Sequence, residues 1–485
     1  MRPGPGRRFG PGEGPPRLGG VVEKERVKGR WLPTEDNSLA RWLPLCVVVG
    51  SVAGLGAAGL HGLLDVCTRY LLTGASGFRP VAGAAAGSVM PSASRPWAVP
   101  LVAAAGAACA AGLAKWLAPE AGGHGTDAAI HAAHHDPLGM RARVPVVKAV
   151  ASALTIGTGG SAGTEGPAAQ MSAAVGSVVA RRAGLSPEQA RTAVVVGLGS
   201  GVGAIFRAPL GGALLAAEML YRRGADLRVL PQALVSAVFA QLVFGVCVGS
   251  GTLVGVDPLL GVHSVRPGSV SGGIGGVGAV VALAVVGVAA GAAGRLYAAC
   301  FCGVHDRVAA WARSAPRLML TAATGGLLAG ALGLLIPGVL GTGYGLLPAL
   351  MDHDVLAGVP WWVVLAIPAA KLCATSVSVG FGGSGGVFGP GLVIGGGVGA
   401  LAWRVAEPLG MAPHDPTVFV VVGMAACLGP IVRAPIAVLV MAAETIGDAG
   451  ILGPGIVGVL AAGAVVRDAT LYRSQPAGPP TAGAG

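Results

Sequence analysis

Gly157-Thr-Gly-Gly-Ser-Ala-Gly-Thr-Glu-Gly-Pro167 and Gly380-Phe-Gly-Gly-Ser-Gly-Gly-Val-Phe-Gly-Pro390 are one stretch written twice. Neither copy can be regular helix, and each leads into a clean apolar run. Lys148 and Lys371 precede the two copies at the same offset as the Gly-Pro pairs, 223 (371 minus 148; 389 minus 166). Further on, Arg207-Ala208-Pro209 and Ala216-Ala217-Glu218 return as Arg433-Ala434-Pro435 and Ala442-Ala443-Glu444, at an offset of 226 (433 minus 207; 444 minus 218). Upstream, Pro119, Gly123 and Gly125 are echoed by Pro337, Gly341 and Gly343 at 218 (341 minus 123). Slow drift in the offset is what small loop insertions between duplicated halves produce. An internally duplicated, Gly/Pro-interrupted apolar chain predicts a membrane transport protein with its site where the halves meet.

Composition agrees. The 485 residues are 53% hydrophobic and 11% charged, against about 25% charged in a soluble domain. Several apolar runs reach the ~20 residues that cross a bilayer as a helix; others are short or Gly-rich and predict tilted or partial helices. Glycine, 84 residues, suits close helix packing in lipid, where small-residue contacts drive association. The net charge of +11 is concentrated outside the apolar runs, with Arg2, Arg7, Arg8, Arg17, Lys24, Arg26, Lys28 and Arg30 near the start. Residues 1–38 read as a disordered, basic, cytoplasmic tail. Without aromatic interleaving, that tail predicts no nucleic-acid partner, and the first apolar run begins too late for a signal peptide. The eight cysteines contain no Cys-x-x-Cys pair and read as small buried hydrophobes. Residues 39–258 and 274–472 form the two halves, 259–273 a linker, and 473–485 a disordered tail that is also cytoplasmic. The chain is thus expected to be a multi-pass protein of the cell membrane.

Each broken stretch ends at a helix start, with Pro167 and Pro390 near the first helical position, where proline is tolerated. A helix N-terminus carries partial positive charge and unpaired N–H donors, and so attracts an anion. Two such starts aimed at one point predict an anion path with few formal positive charges in it. Glu165, a carboxylate at membrane depth, is costly and marks function. Its repeat partner, Phe388, cannot ionise.

The constellation resembles the bacterial-type CLC family of chloride channels and chloride/proton exchangers, over roughly residues 40 to 473. Gly163-Thr164-Glu165-Gly166-Pro167 is similar to the family's Gly-Arg-Glu-Gly-Pro, and Gly386-Val387-Phe388-Gly389-Pro390 to its Gly-x-Phe-x-Pro. Phe206-Arg207-Ala208-Pro209-Leu210 is similar to Phe-x-Ala-Pro-Leu, and Lys148 stands 17 residues before Glu165 (165 minus 148), as in the family. The resemblance implies an all-α integral membrane protein of two inverted-topology repeats of tilted and broken transmembrane helices. It implies a homodimer with one pore per subunit, moving chloride or a similar anion, with protons as a second partner in exchangers. Glu165 would be the gate. His124, Gly125, Thr164, Gly166, Val387, Phe388 and Tyr472 would border the anion. No cofactor and no enzymatic reaction are expected, since no nucleotide loop and no nucleophile–base pair is present.

Three departures matter. The family's first anion loop reads Gly-Ser-Gly-Ile-Pro, whereas here Gly123-His124-Gly125-Thr126-Asp127 puts an imidazole where a hydroxyl is usual; it too can donate to an anion. Exchangers usually carry paired glutamates after Ala-Pro-Leu, the second passing protons; here Glu218 is followed by Met219, which cannot carry a proton. The expected transport is channel-like or loosely proton-coupled, with strict chloride/proton antiport as the alternative, through Glu218 or a water chain. No nucleotide-binding regulatory pair of domains is expected after Tyr472. Glu218 and Glu444 also read as partners of Arg207 and Arg433 or as interior hydrogen-bonding groups, and Lys148 and Lys371 as ion-pair partners or anion-steering charges. A reading of a different class rests on His124, Asp127, His131, His134 and His135. On a helix the last four share one face, and such side chains are zinc ligands, which would make the chain a metal-ion transporter or an intramembrane metalloenzyme.

Overall fold

The computed structural model describes residues 39–80, 92–249 and 277–478. The expected tail 1–38 and linker 259–273 lie outside the described residues. Within them the chain is helical, with no strand longer than a single bridge. α1 (Leu39–Cys67) runs through a π-turn (Thr68–Thr73) into α2 (Gly74–Ser76). Then come α3 (Ala98–Leu117), α4 (Thr126–His135), α5 (Val144–Gly157), α6 (Glu165–Arg182), α7 (Pro187–Phe206), α8 (Pro209–Glu218) and α9 (Leu230–Val248). The second half repeats the order. α10 (Val277–Trp311) answers α1, α11 (Ala315–Leu335) answers α3, and the short α12 (Leu346–Met351) and α13 (His353–Gly358) replace α4. α14 (Trp361–Gly380), α15 (Phe388–Ala406), α16 (Thr417–Val432), α17 (Pro435–Ile446) and α18 (Leu452–Val466) are counterparts of α5 to α9.

The duplication is written in the dihedral angles as well. Left-handed φ recurs at matched positions: Gly123 (65°) and Gly341 (61°), Gly125 (85°) and Gly343 (79°), Gly159 (104°) and Gly382 (107°), Arg207 (54°) and Arg433 (63°). At φ near 105° a side chain is strained, so Gly159 and Gly382 are required in the turns that separate α5 from α6 and α14 from α15. Arg207 and Arg433 end α7 and α16 in the left-handed region, which lets the following Ala-Pro open a new helix. α6 starts at Glu165 and α15 at Phe388, so Pro167 and Pro390 are third in their helices rather than first. They remain in the first turn, where an N–H has no intrahelical acceptor, so proline removes no bond.

The halves meet at a two-fold axis. Gly163 N–H donates to Gly386 O at 2.8 Å and Gly386 N–H to Gly163 O at 2.7 Å. Equivalent residues that exchange bonds lie on a local two-fold, as in an isologous contact. The packing obeys the same axis, since α3 lies on α11 and α8 on α17, each helix against its own counterpart. Because the bridge is antiparallel, the chain crosses the midpoint in opposite senses in the two halves, and the repeats are inverted. Nine helices are long and apolar enough to cross a bilayer, and α5, α16 and α17 are apolar but shorter, among the described residues. Large apolar side chains such as Val246, Leu335 and Leu460 point outward, while the packed interior is rich in Ala and Gly, as expected in lipid.

Part of the expected C-terminal tail is held on the body. Arg473 forms an ion pair with Asp306 at 2.6 Å. The Ser474 N–H and hydroxyl both donate to Asp127, each at 2.9 Å. Gln475 Nε2 donates to Met219 O at 2.8 Å and Val432 O at 3.1 Å. The Pro/Gly-rich composition of this end concealed its three polar anchors.

Candidate functional site

α6 and α15 both start beside the glycine bridge. Glu165, the first residue of α6, is 1% exposed, yet its carboxylate turns to the other half. Oε2 accepts the Gly389 N–H in the first turn of α15 at 3.1 Å. Oε1 accepts the Thr164 hydroxyl at 3.2 Å and the Tyr344 hydroxyl. A carboxylate is favoured at a helix N-terminus, where N–H groups and the helix dipole supply the charge that burial denies it. The neighbouring Val387 and Phe388 N–H groups donate to no described residue outside their own helix, so donors remain beside the carboxylate. Phe206, Tyr344 and Phe388 close over this point, with ring centroids 6.2 Å apart for Phe206–Tyr344 and 5.6 Å for Phe206–Phe388. The three border an apolar cavity of about 30 Å³ with Met424, Val438 and Met441.

An aromatic cluster stands next to Val387. Tyr297 donates its hydroxyl to Val387 O at 3.0 Å, and its ring lies 6.4 Å from Phe301. Phe301 meets His124 edge-on at 5.7 Å, and His124 stacks on Tyr472 at 5.8 Å. The His124 Nδ1 atom and the Tyr472 hydroxyl are both buried without a well-formed hydrogen bond, and the Thr126 side chain lies beside the latter. Buried polar atoms normally have partners; two orphans on stacked rings mark a place for a polar ligand. The His124 side reaches a cavity of about 630 Å³ bordered by Gly123, Asp127, His131, His305 and Ser474. The matching loop of the second half, Gly341 to Gly345, borders a cavity of about 660 Å³ with Arg69, Arg79 and Pro337. The Gly-x-Gly loop of each half thus borders one cavity. At the mouth of the first, burial works against ionisation of Glu120, but its hydrogen bonds and the charges of Arg141 and Arg143 together hold the carboxyl below its ordinary range.

Reciprocal bonds hold the loops. Lys148 Nζ donates to Ala121 O (3.1 Å), Gly123 O (2.6 Å) and Ser384 Oγ (3.2 Å). Lys371 Nζ donates to the equivalent Val339 O (3.0 Å) and Gly341 O (2.9 Å). Both side chains are buried. Among the described residues neither forms an ion pair, and each anchors the Gly-x-Gly loop of its own half. Across the axis, Ser152 pairs with Ser384 at 3.1 Å and Ser161 with Thr375 at 2.9 Å, which are equivalent contacts. Gly385 N–H donates to Gly123 O and Ala162 N–H to Gly341 O, equivalent once more. Gly166 packs between the His124 carbonyl and Gly386, with no space for a side chain, and Gly125 sits against Lys148 and Gln170.

The two repeat carboxylates cap each other's helices. Glu218, last in α8, accepts the Ala437 N–H in the first turn of α17 at 3.0 Å. Glu444, in α17, accepts the Leu210 and Gly211 N–H groups in the first turn of α8 at 3.0 and 2.6 Å. The interior hydrogen-bonding alternative holds for both. Met219 is buried, and its carbonyl receives Gln475. The histidine run does not converge as the metal reading requires. His134 Nε2 contacts Leu220 O at 3.0 Å, His135 Nδ1 contacts His131 O at 3.0 Å, and Asp127 is taken by Ser474.

Of the residues singled out in the sequence, Thr164, Glu165, Gly166, Val387 and Phe388 gather at the bridge, and His124 and Tyr472 stack on one side of it. Tyr344, Tyr297 and Phe301 were missed. For Tyr344 a signal existed: it follows Gly341-Thr342-Gly343, the repeat of Gly123-His124-Gly125, and so stands where Thr126 stands in the first half. Tyr297 and Phe301 lie in a plain apolar helix with no motif around them.

The family model described as "Voltage gated chloride channel" matches residues 106–467. The chain is 32% identical over 313 residues to "Putative chloride channel protein ClcB-like" of Ralstonia nicotianae, covering 63% of this chain and 67% of that protein. It is 29% identical over 356 residues to "H(+)/Cl(-) exchange transporter ClcA" of Klebsiella pneumoniae, covering 72% and 71%. In fold it is similar to a slow cyanobacterial Cl-/H+ antiporter (TM-score 0.69, 21% identity, 90% of this chain and 95% of that one). It is similar also to a CLC-type fluoride/proton antiporter (TM-score 0.72, 19% identity, 92% and 100%).

Proposed function

This chain belongs to the voltage-gated chloride channel (CLC) family of anion transporters, and on that premise we propose that Glu165 gates the passage of chloride or a similar small anion. The observation that carries the reading is the bond from Gly389 N–H to Glu165 Oε2. The carboxylate sits on the helix start that an anion would use. While ionised it competes for those donors. When a proton neutralises it, the attraction of the helix N-terminus falls away, and the side chain can leave to an anion the N–H groups of Val387, Phe388 and Gly389. The orphan Tyr472 hydroxyl and the His124 ring stand on the approach to that position.

Coupling to protons is loose or absent in this reading. Met219 carries no proton, and the Glu218 carboxylate is committed to the start of α17. Strict antiport is the second reading, favoured by the exchanger names of several relatives and by a proton route through Glu218. We further propose a homodimer with one pore per subunit. Its termini would be cytoplasmic, because Arg222, Arg223 and Arg473 gather where residues 473–477 pack, as the positive-inside rule requires. No enzymatic reaction is assigned. The test is chloride efflux from liposomes holding purified protein, with external pH recorded at the same time. Chloride movement with silent pH supports the reading, stoichiometric counter-movement of protons supports antiport, and no anion flux overturns both.

A further inference from the structure

Far along the chain from the gate, three ligand-type side chains converge that no transport step uses. His353 is the first residue of α13, Glu407 directly follows α15, and His414 lies in the loop before α16. One ligand atom from each lies within 4.8 Å of the others. The two imidazole centroids are 3.8 Å apart.

The local structure fixes the two histidines and leaves a ligand nitrogen on each. The Asp352 carboxylate accepts the Val355 N–H at 3.0 Å, which caps α13 and places His353. Trp403 Nε1 donates to Pro413 O at 2.8 Å, and the Thr417 N–H donates to Asp415 Oδ1 at 2.8 Å, so the residues on both sides of His414 are tied down. The Trp403 ring meets His353 edge-on at 5.5 Å. His353 Nδ1 is bonded to Asp354 Oδ1 at 3.0 Å. An imidazole held this way keeps its proton on Nδ1 and presents the Nε2 lone pair, the arrangement found behind metal-ligating histidines. The Glu407 carboxylate and the His414 nitrogens have no hydrogen bond or ion pair with any described residue.

We propose that His353, Glu407 and His414 form a binding site for a divalent transition metal of the zinc class. Two imidazole nitrogens and one carboxylate oxygen suit zinc and its neighbours, whereas calcium and magnesium favour all-oxygen sets. Three protein ligands leave a fourth position, and exposed His414 opens it to water. The site is separate from the histidine run at 124–135, where His134 and His135 each contact a backbone carbonyl and Asp127 is taken by Ser474. It also stands independently of the transport reading.

The test is calorimetric titration of Zn²⁺ into purified full-length protein prepared without a polyhistidine tag. One Zn²⁺ should bind per chain. Glu407→Gln, which keeps the volume and sits at a partly exposed position, should weaken binding about tenfold or more, as should His353→Ala. A His131→Ala/His135→Ala variant should bind as the parent does. A parent that binds no Zn²⁺, or a Glu407→Gln variant that binds as tightly as the parent, would overturn the proposal.

Discussion

Replacing Glu218 by Gln separates two roles for this carboxylate, helix cap and proton carrier. In the structure Glu218 accepts one N–H from the first turn of α17, and Glu444 returns the contact with two N–H groups from α8. A hydrogen bond to a charged group contributes about 1.5–3 kcal/mol net. Glu218→Ala should therefore destabilise by about 1–3 kcal/mol, toward the upper range of measured caps. Glu444→Ala removes two bonds, but Glu444 is half-buried, and discounting for solvent leaves about 2–4 kcal/mol. Glutamine keeps an acceptor oxygen for Ala437 N–H and loses only the charge, so Glu218→Gln should cost about 0.5–1.5 kcal/mol. Because both caps hold one helix pair, the double alanine variant should cost less than the sum of the singles. The assay is thermal unfolding in detergent, followed by paired chloride and proton flux. The cap account expects a lowered midpoint and an unchanged proton-to-chloride ratio in Glu218→Gln. An unchanged midpoint with proton movement abolished would refute it and make Glu218 a proton carrier.

Other outcomes follow from the same contacts. Tyr344→Phe removes a hydroxyl from Glu165, so the ionised gate is held less firmly by about 1.5–3 kcal/mol; chloride flux at neutral pH should rise roughly tenfold or more, and equal flux in parent and variant would count against the contact. Lys148→Met strands the carbonyls of Ala121 and Gly123 and should lower stability by about 2–4 kcal/mol, read as a shift in thermal midpoint, with Lys371→Met similar. In Gly386→Ala the new Cβ would lie 2.7 Å from Gly166 N; overpacking at the bridge should cost about 1–3 kcal/mol or prevent folding, visible in yield and melting. His124→Ser should change the ranking of chloride against nitrate in competition flux, and an unchanged ranking would remove His124 from the path.

The duplicated halves were legible because duplication leaves its mark in residues that backbone geometry cannot replace, whereas their inversion was implied only by the family resemblance. Gly159 and Gly382, and the Arg-Ala-Pro turns, keep their identity since each fixes a dihedral angle or a helix start. Glu165 was legible because a carboxylate in an apolar run has few structural uses. What stayed hidden depends on distance in three dimensions. Lys148 and Lys371 read as ion-pair partners or anion-steering charges; the partners the structure gives them are backbone carbonyls, with Ser384 Oγ added for Lys148, and no sequence pattern marks these. Tyr344 and Tyr297 belong to segments far along the chain from Glu165 and Val387. His353, Glu407 and His414 are spread over three segments, whereas the run at 124–135 attracted notice by adjacency alone. The anchors at 473–475 were masked by the composition around them.

The central claim is that the Glu165 carboxylate occupies the anion's place at the start of α15. The most direct measurement is chloride efflux from liposomes containing Glu165→Gln or the parent, across a series of pH from acid to neutral. Parent flux should rise as pH falls, because protonation frees the helix start, and Glu165→Gln flux should lose that dependence. A Glu165→Gln variant that keeps the parent's pH dependence would contradict the claim.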